Sequence, residues 1–133
     1  INDATYALLK YATVAIVTSG TATLETAIVG TPQVVCYRAN GSKFAYKLFE
    51  KILKVRFVSL PNLIAGKEIV PELLLHFCTP ENIATQTLQL LGNTQQRSDM
   101  LAGYDLIRKR LSDNDSAGTA ADKLVTSLIY KVI

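Results

Sequence analysis

The chain has 133 residues, of which 49% are hydrophobic, and carries a net charge of only +3. That balance suits one domain with a sizeable core and excludes a disordered tail; so small a charge also argues against a nucleic-acid partner. No apolar stretch reaches the roughly 18 residues of a membrane span, and no charged-then-apolar leader precedes a small-residue cleavage site. The sequence opens at Ile1, and Met100 is its only methionine, so it is expected to be cut from a longer protein. Cys36 and Cys78 stand 42 positions apart, with His76 as the only histidine. This spacing offers no metal site, and the cysteines read as reduced core thiols of a cytoplasmic protein.

In chain order, "NDATYALLKYA" predicts a short helix capped by Asp3, and Val14 to Val17 predict a strand covered on both faces. Ala22 to Val29 reads as a helix closed by Gly30 in a left-handed cap, with Pro32 as a stop. "QVVCYR" predicts a second strand, "SKFAYKLFEKILK" a helix and "RFVSL" a third strand. "PNLIAGKEIVPEL" follows as a loop leading into a short helix that begins near Pro71. Three amphipathic helices complete the chain. The first is marked by Ile83, Ala84, Thr87, Leu88 and Leu91, and the second by Met100, Leu101, Tyr104, Ile107 and Leu111; Ala121, Leu124, Val125, Leu128, Ile129 and Val132 mark the third.

Strand, helix, strand, helix, strand is the pattern of an α/β fold: a partial doubly wound, Rossmann-like parallel sheet of about three strands with a helical C-terminal region. We read a single truncated domain over 1–133, with an α/β part at 1–80 and helices at 81–133. Three strands make a thin sheet whose edge needs cover. A homo-oligomer is therefore expected, built by exchange of terminal helices.

In such sheets ligands bind beyond the carboxyl ends of the strands, where "TSGTAT" is expected. Gly20 permits a tight turn and close approach, while Ser19, Thr21 and Thr23 set hydroxyls beside the free amides of a helix N-terminus. That end suits a phosphate or diphosphate. Glu25 is not consumed by a capping box, because Ala22 stands three places before it. It lies one turn beyond Thr21, where a carboxylate can accept from the vicinal hydroxyls of a ribose. On local pattern alone a second reading stands beside this one: Ser, Gly and Thr simply start a helix, and Glu25 complements its positive end.

The longer text "SGTATLETAIVGTPQVVCYR", followed by "VSLPNLIAGKEIVPELL", resembles the C-terminal nucleotide-binding region of lipid-A-disaccharide synthases, bacterial GT-B glycosyltransferases. The likeness runs from about Ala12 to Pro80. It implies an enzyme that transfers diacylglucosamine from its UDP carrier to a diacylglucosamine 1-phosphate acceptor, without metal or cofactor, at the inner face of the inner membrane. On that likeness Ser19, Gly20, Thr21 and Thr23 would meet the diphosphate and Glu25 the ribose. Asn62, in the loop after the third strand, would face the cleft between domains, and Arg38 would bring a charge near the diphosphate. Where the family often has glutamine after "PEL", this chain has Leu75 and then His76. The family's catalytic carboxylate and diphosphate-binding arginine would lie in parts this sequence lacks, so no catalytic residue is assigned.

Lys43, Lys47, Lys51 and Lys54 form a stripe at helical spacing opposite a broad apolar arc. Six basic residues against Glu50 give the stretch 38–56 a net +5, which suits an anionic membrane surface. The same helix also suits burial of its arc on the sheet with its lysines in water. Two other functions fit less of the sequence. One is another UDP-N-acetylglucosamine enzyme, of the peptidoglycan-precursor transferase or 2-epimerase type; the other is a non-catalytic basic binding module.

Overall fold

A computed structural model describes residues 3–18, 20–38, 50, 54 and 56–113 of the chain. Helix α1 (Asp3–Tyr11) buries none of its residues. It is hooked to the sheet by the Thr31 hydroxyl, which donates to the Leu9 carbonyl at 2.5 Å. Strand β1 (Ala15–Thr18) leads through Gly20 into α2 (Thr21–Val29), which ends at Gly30 with φ 98°. The Gly30 and Thr31 amides both donate to the Thr26 carbonyl at 3.1 Å, and Pro32 then forbids continuation. Strand β2 (Gln33–Tyr37) is buried at all five positions, as expected of the central strand of a parallel sheet covered on both faces.

The sheet order is β1-β2-β3, all parallel. The fold is thus α/β with a thin Rossmann-like sheet, as the sequence predicts, but the third strand is not "RFVSL". Residues 56–59 are irregular, and Leu60 begins a helix, α3 (Leu60–Ala65), with Pro61 in its first turn. The irregular segment has lost its ladder donors to a side chain: the Val58 and Ser59 amides donate to the Glu72 carboxylate at 3.0 and 2.8 Å. Strand β3 is instead Glu72–Leu74, where the sequence reads as the start of a helix. The Val35 amide bonds the Pro71 carbonyl at 2.9 Å, so this extended run is pulled onto β2.

A 3₁₀ turn (Leu75–Phe77) follows, then α4 (Pro80–Leu90) and α5 (Gln95–Asp113). Thr79 caps α4 by accepting from the Asn82 amide at 3.1 Å. Met100, Tyr104 and Ile107, the stripe predicted from helical spacing, are the α5 side chains buried in the core. They pack with Val34, Val35 and Cys36 of β2 and with Ala27, Ala65, Val70 and Leu90. Gly103 lets α5 approach Ile69 closely: a Cβ there would lie 2.5 Å from the Ile69 Cδ1.

Three arginines of this helix donate to the carboxyl ends of other helices. Arg97 reaches the Leu90 carbonyl at 3.0 Å, Arg108 the Ile28 carbonyl at 3.0 Å and Arg110 the Ile64 carbonyl at 2.8 Å. The predicted helix over 43–54 and the predicted helix after residue 120 lie outside the described residues, apart from Glu50 and the exposed Lys54. Among the described residues no helix is long and apolar enough to cross a membrane.

Candidate functional site

Parallel register brings three chain segments to one edge of the sheet. Thr18 is level with Cys36, Cys36 with Leu73, and Tyr37 with Leu74. Beyond that line lie the Gly20 corner, Arg38 and the Leu75–Phe77 turn, in that order across the sheet. Gly20 has φ 128°, and among the described residues no atom lies within 4 Å of where a Cβ would stand. Among the described residues no side chain caps α2. The Thr23 amide turns back to the Gly20 carbonyl at 3.2 Å, so the Thr21 and Ala22 amides are the ones left to face an anion arriving over Gly20, with the helix dipole favouring negative charge.

Thr21 is exposed at the rim. Thr23, expected at the diphosphate, is instead fully buried, and its hydroxyl donates inward to the Gly20 carbonyl at 2.8 Å. It shapes the corner from behind. Glu25 is partly exposed, and its carboxylate has no hydrogen-bond or ion-pair partner among the described residues. Arg38 is exposed at the end of β2. Ser19, Lys43, Lys47 and Lys51 lie outside the described residues.

Asn62 sits in α3, not in a loop after a strand, and is 0% exposed. Its Oδ1 accepts from the Ile69 and Val70 amides at 2.6 and 2.9 Å, and its Nδ2 donates to the Val70 carbonyl and to Glu72 at 2.9 and 2.8 Å. Every polar atom of the side chain is engaged in holding the 66–72 turn, so the expectation of a cleft-facing amide is corrected to an internal one. His76 is exposed, with its ring stacked at 4.1 Å and 38° on Phe77.

The sequence model of the lipid-A-disaccharide synthetase family matches residues 1–124. The chain belongs to that family. It is 38% identical over 130 residues to the lipid-A-disaccharide synthase of Sulfurihydrogenibium sp. (strain YO3AOP1), covering 98% of this chain and 33% of that protein. The synthase of Myxococcus xanthus (strain DK1622) is 41% identical over 114 residues, covering 86% of this chain and 29% of its own. That of Syntrophus aciditrophicus (strain SB) is 36% identical over 126 residues, covering 95% and 32%. The chain spans about one third of the length of these curated relatives.

In this chain the corner is supported by residues that sequence reasoning did not single out. The Gln33 side chain, fully buried in β2, donates through Nε2 to the Thr23 carbonyl at 2.9 Å and to the Tyr104 hydroxyl at 3.2 Å. Tyr104 in turn donates to the Thr31 carbonyl at 2.9 Å, and its burial pushes the phenol well above its ordinary pKa. The first turn of α2 is thereby tied to α5 through the core. A glutamine inside the β-branched run "PQVVCY" was the available signal. Glu72 likewise holds the 58–62 segment, accepting from the Val58 and Ser59 amides, the Ser59 hydroxyl and Asn62. Cys36 and Cys78 are free buried thiols; burial, and then the neighbouring Cys78, raise Cys36 to about 11.

Proposed function

We propose that this chain is the donor-binding part of a glycosyltransferase of lipid A biosynthesis, which takes diacylglucosamine from UDP and passes it to a diacylglucosamine 1-phosphate acceptor. The observation that carries the reading is the N-terminus of α2 at Gly20, where among the described residues no side chain caps the helix, nothing lies over Gly20 and the Glu25 carboxylate one turn along has no partner. The diphosphate rests on the Gly20–Thr21 corner and its amides, and the ribose hydroxyls donate to Glu25. Family membership supports the substrate class, since the relatives are named for the lipid A disaccharide. Acid–base catalysis is assigned to the longer remainder that the relatives possess. The protein works on the cytoplasmic side, against the membrane that holds its lipid substrates.

Glu25→Gln tests the site in the full-length protein. Two charge-assisted hydrogen bonds of roughly 1.5–3 kcal/mol each become weaker neutral ones, so UDP affinity measured by calorimetric titration falls at least about tenfold while the melting temperature barely moves. Wild type discriminates against 2′-deoxy-UDP, and the variant discriminates less. Unchanged affinity with a lowered melting temperature would reduce Glu25 to a helix-end charge worth about 0.3–1 kcal/mol of stability.

A further inference from the structure

We infer that Thr23 is a positioning residue of the donor site: its buried hydroxyl aims the Thr21 amide at the diphosphate, and Gln33 braces it from the core. The inference rests on the donor-binding reading above. Gly20 enters α2 with φ 128° and ψ −159°, a backbone open to glycine and strained for other residues, and glycine is also the residue freest to leave it. The peptide joining Gly20 to Thr21 therefore needs a hold from outside itself. Thr23 supplies that hold. The Gly20 carbonyl accepts from the Thr23 hydroxyl at 2.8 Å and from the Thr23 amide at 3.2 Å, so the shorter bond comes from the side chain.

The peptides of the described residues are all trans. In a trans peptide the carbonyl of one residue and the amide N–H of the next share a plane and point in opposite directions. Turning the Gly20 carbonyl back to Thr23 thus turns the Thr21 N–H out of the helix end, away from Thr23. Thr23 can hold that plane because it is itself held. It is 0% exposed, its β-branched side chain is stiff, and its carbonyl accepts from Gln33 Nε2 at 2.9 Å. The Gln33 amide cannot be reversed, since its oxygen would then face the Thr23 carbonyl oxygen. In the orientation that serves Thr23, Gln33 Oε1 is buried with no hydrogen-bond partner among the described residues. An unsatisfied buried acceptor is destabilising, so this brace is kept at a cost in stability.

The full-length protein tests the inference with Thr23→Val, which keeps the shape of the side chain and removes the hydroxyl, and Thr23→Ser, which keeps the hydroxyl. UDP and uridine are titrated against each, beside melting curves. Thr23→Val should weaken UDP about fivefold and leave uridine unchanged, because a freed Gly20–Thr21 peptide lowers the fraction of protein ready for the diphosphate and touches nothing on the nucleoside. Thr23→Ser should bind UDP within about twofold of wild type. A hydroxyl with a structural role alone would lower the melting temperature and leave both affinities unchanged, or lose both alike; either result overturns the inference. So does a Thr23→Ser variant that loses as much UDP affinity as Thr23→Val. Gln33→Leu carries the test if Thr23→Val does not fold, because it removes the brace together with the unsatisfied oxygen. There UDP should weaken about threefold against unchanged uridine, at a melting temperature near wild type; unchanged UDP affinity would overturn the inference. A wild type that binds no UDP would instead overturn the donor-binding reading, and the inference with it.

Discussion

Replacing Gly103 with alanine sets two opposing effects against each other, and the structure decides the sign. Alanine in a helix interior is favoured over glycine by about 1 kcal/mol. The new Cβ, however, would stand 2.5 Å from Ile69 Cδ1, 2.6 Å from Cγ2 and 3.2 Å from Cγ1. Ordinary carbon contacts lie near about 3.5–4.0 Å, so two atoms overlap by roughly 1 Å. Rotating the end of the side chain does not clear both, because Cγ1 and Cγ2 branch from the same stiff Cβ. Overpacking of this kind costs about 1–3 kcal/mol. The expected net effect is a destabilisation of about 1 kcal/mol, read in the full-length protein as roughly fivefold faster amide exchange at Val34 and Val35 of the central strand. In an Ile69→Ala background the overlap is gone, and Gly103→Ala should become stabilising. A Gly103→Ala variant that protects β2 better than wild type, with Ile69 intact, would refute the reasoning.

Glu72→Gln should loosen 58–62 by about 1.5–3 kcal/mol, because a carboxylate accepting from two amides, a hydroxyl and Asn62 is replaced by a group with one acceptor and a misplaced donor; amide exchange at Val58 and Ser59 checks it. The pH dependence follows from Cys36. Its folded pKa is raised from 9.0 to about 11, so the neutral thiol's contribution is complete below pH 9.0 and is lost as pH rises from there toward about 11. Thiolate absorbance should confirm the late titration, and Cys36→Ala should flatten the alkaline loss of stability.

Legibility differed by element for physical reasons. Strand β2 was readable as a continuous apolar run, because all five of its positions are buried, and α5 because Met100, Tyr104 and Ile107 recur at helical spacing on its buried face. Gly30 and Pro32 mark the end of α2. Helix α4 was readable as an element but not by its stripe, since it buries Leu90 while Leu88 and Leu91 are exposed. Strand β3 was not, because three residues are too few to show a period, and "RFVSL" mimics a strand by composition alone. Its donors are satisfied by Glu72, a long-range partner that no local pattern announces. At the candidate site, Gly20 and Glu25 drew notice as residue types, a glycine that permits a turn and an acid with no capping box to serve, and among the described residues nothing lies over the one or pairs with the other. Thr23 and Asn62 were misjudged because a hydroxyl or an amide looks the same in sequence whether it points at a ligand or into its own fold.

The arginine at the carboxyl end of α2 bears on the other end of the helix. A helix of nine residues is about 13 Å long, and its aligned peptides place about half a negative charge at Ile28 and half a positive one at Gly20. The Arg108 guanidinium donates to the Ala27 and Ile28 carbonyls at 3.3 and 3.0 Å, and the same group is paired with the Asp105 carboxylate at 2.7 Å. The guanidinium hydrogens thus meet the negative pole directly, while the carboxylate behind them keeps the end of the helix close to neutral at a distance. What an anion feels at the other end is therefore the local positive pole of α2 and not a field that Arg108 projects along it. Arg108 serves the corner mechanically, by fixing to α5 the helix whose first turn the anion would meet.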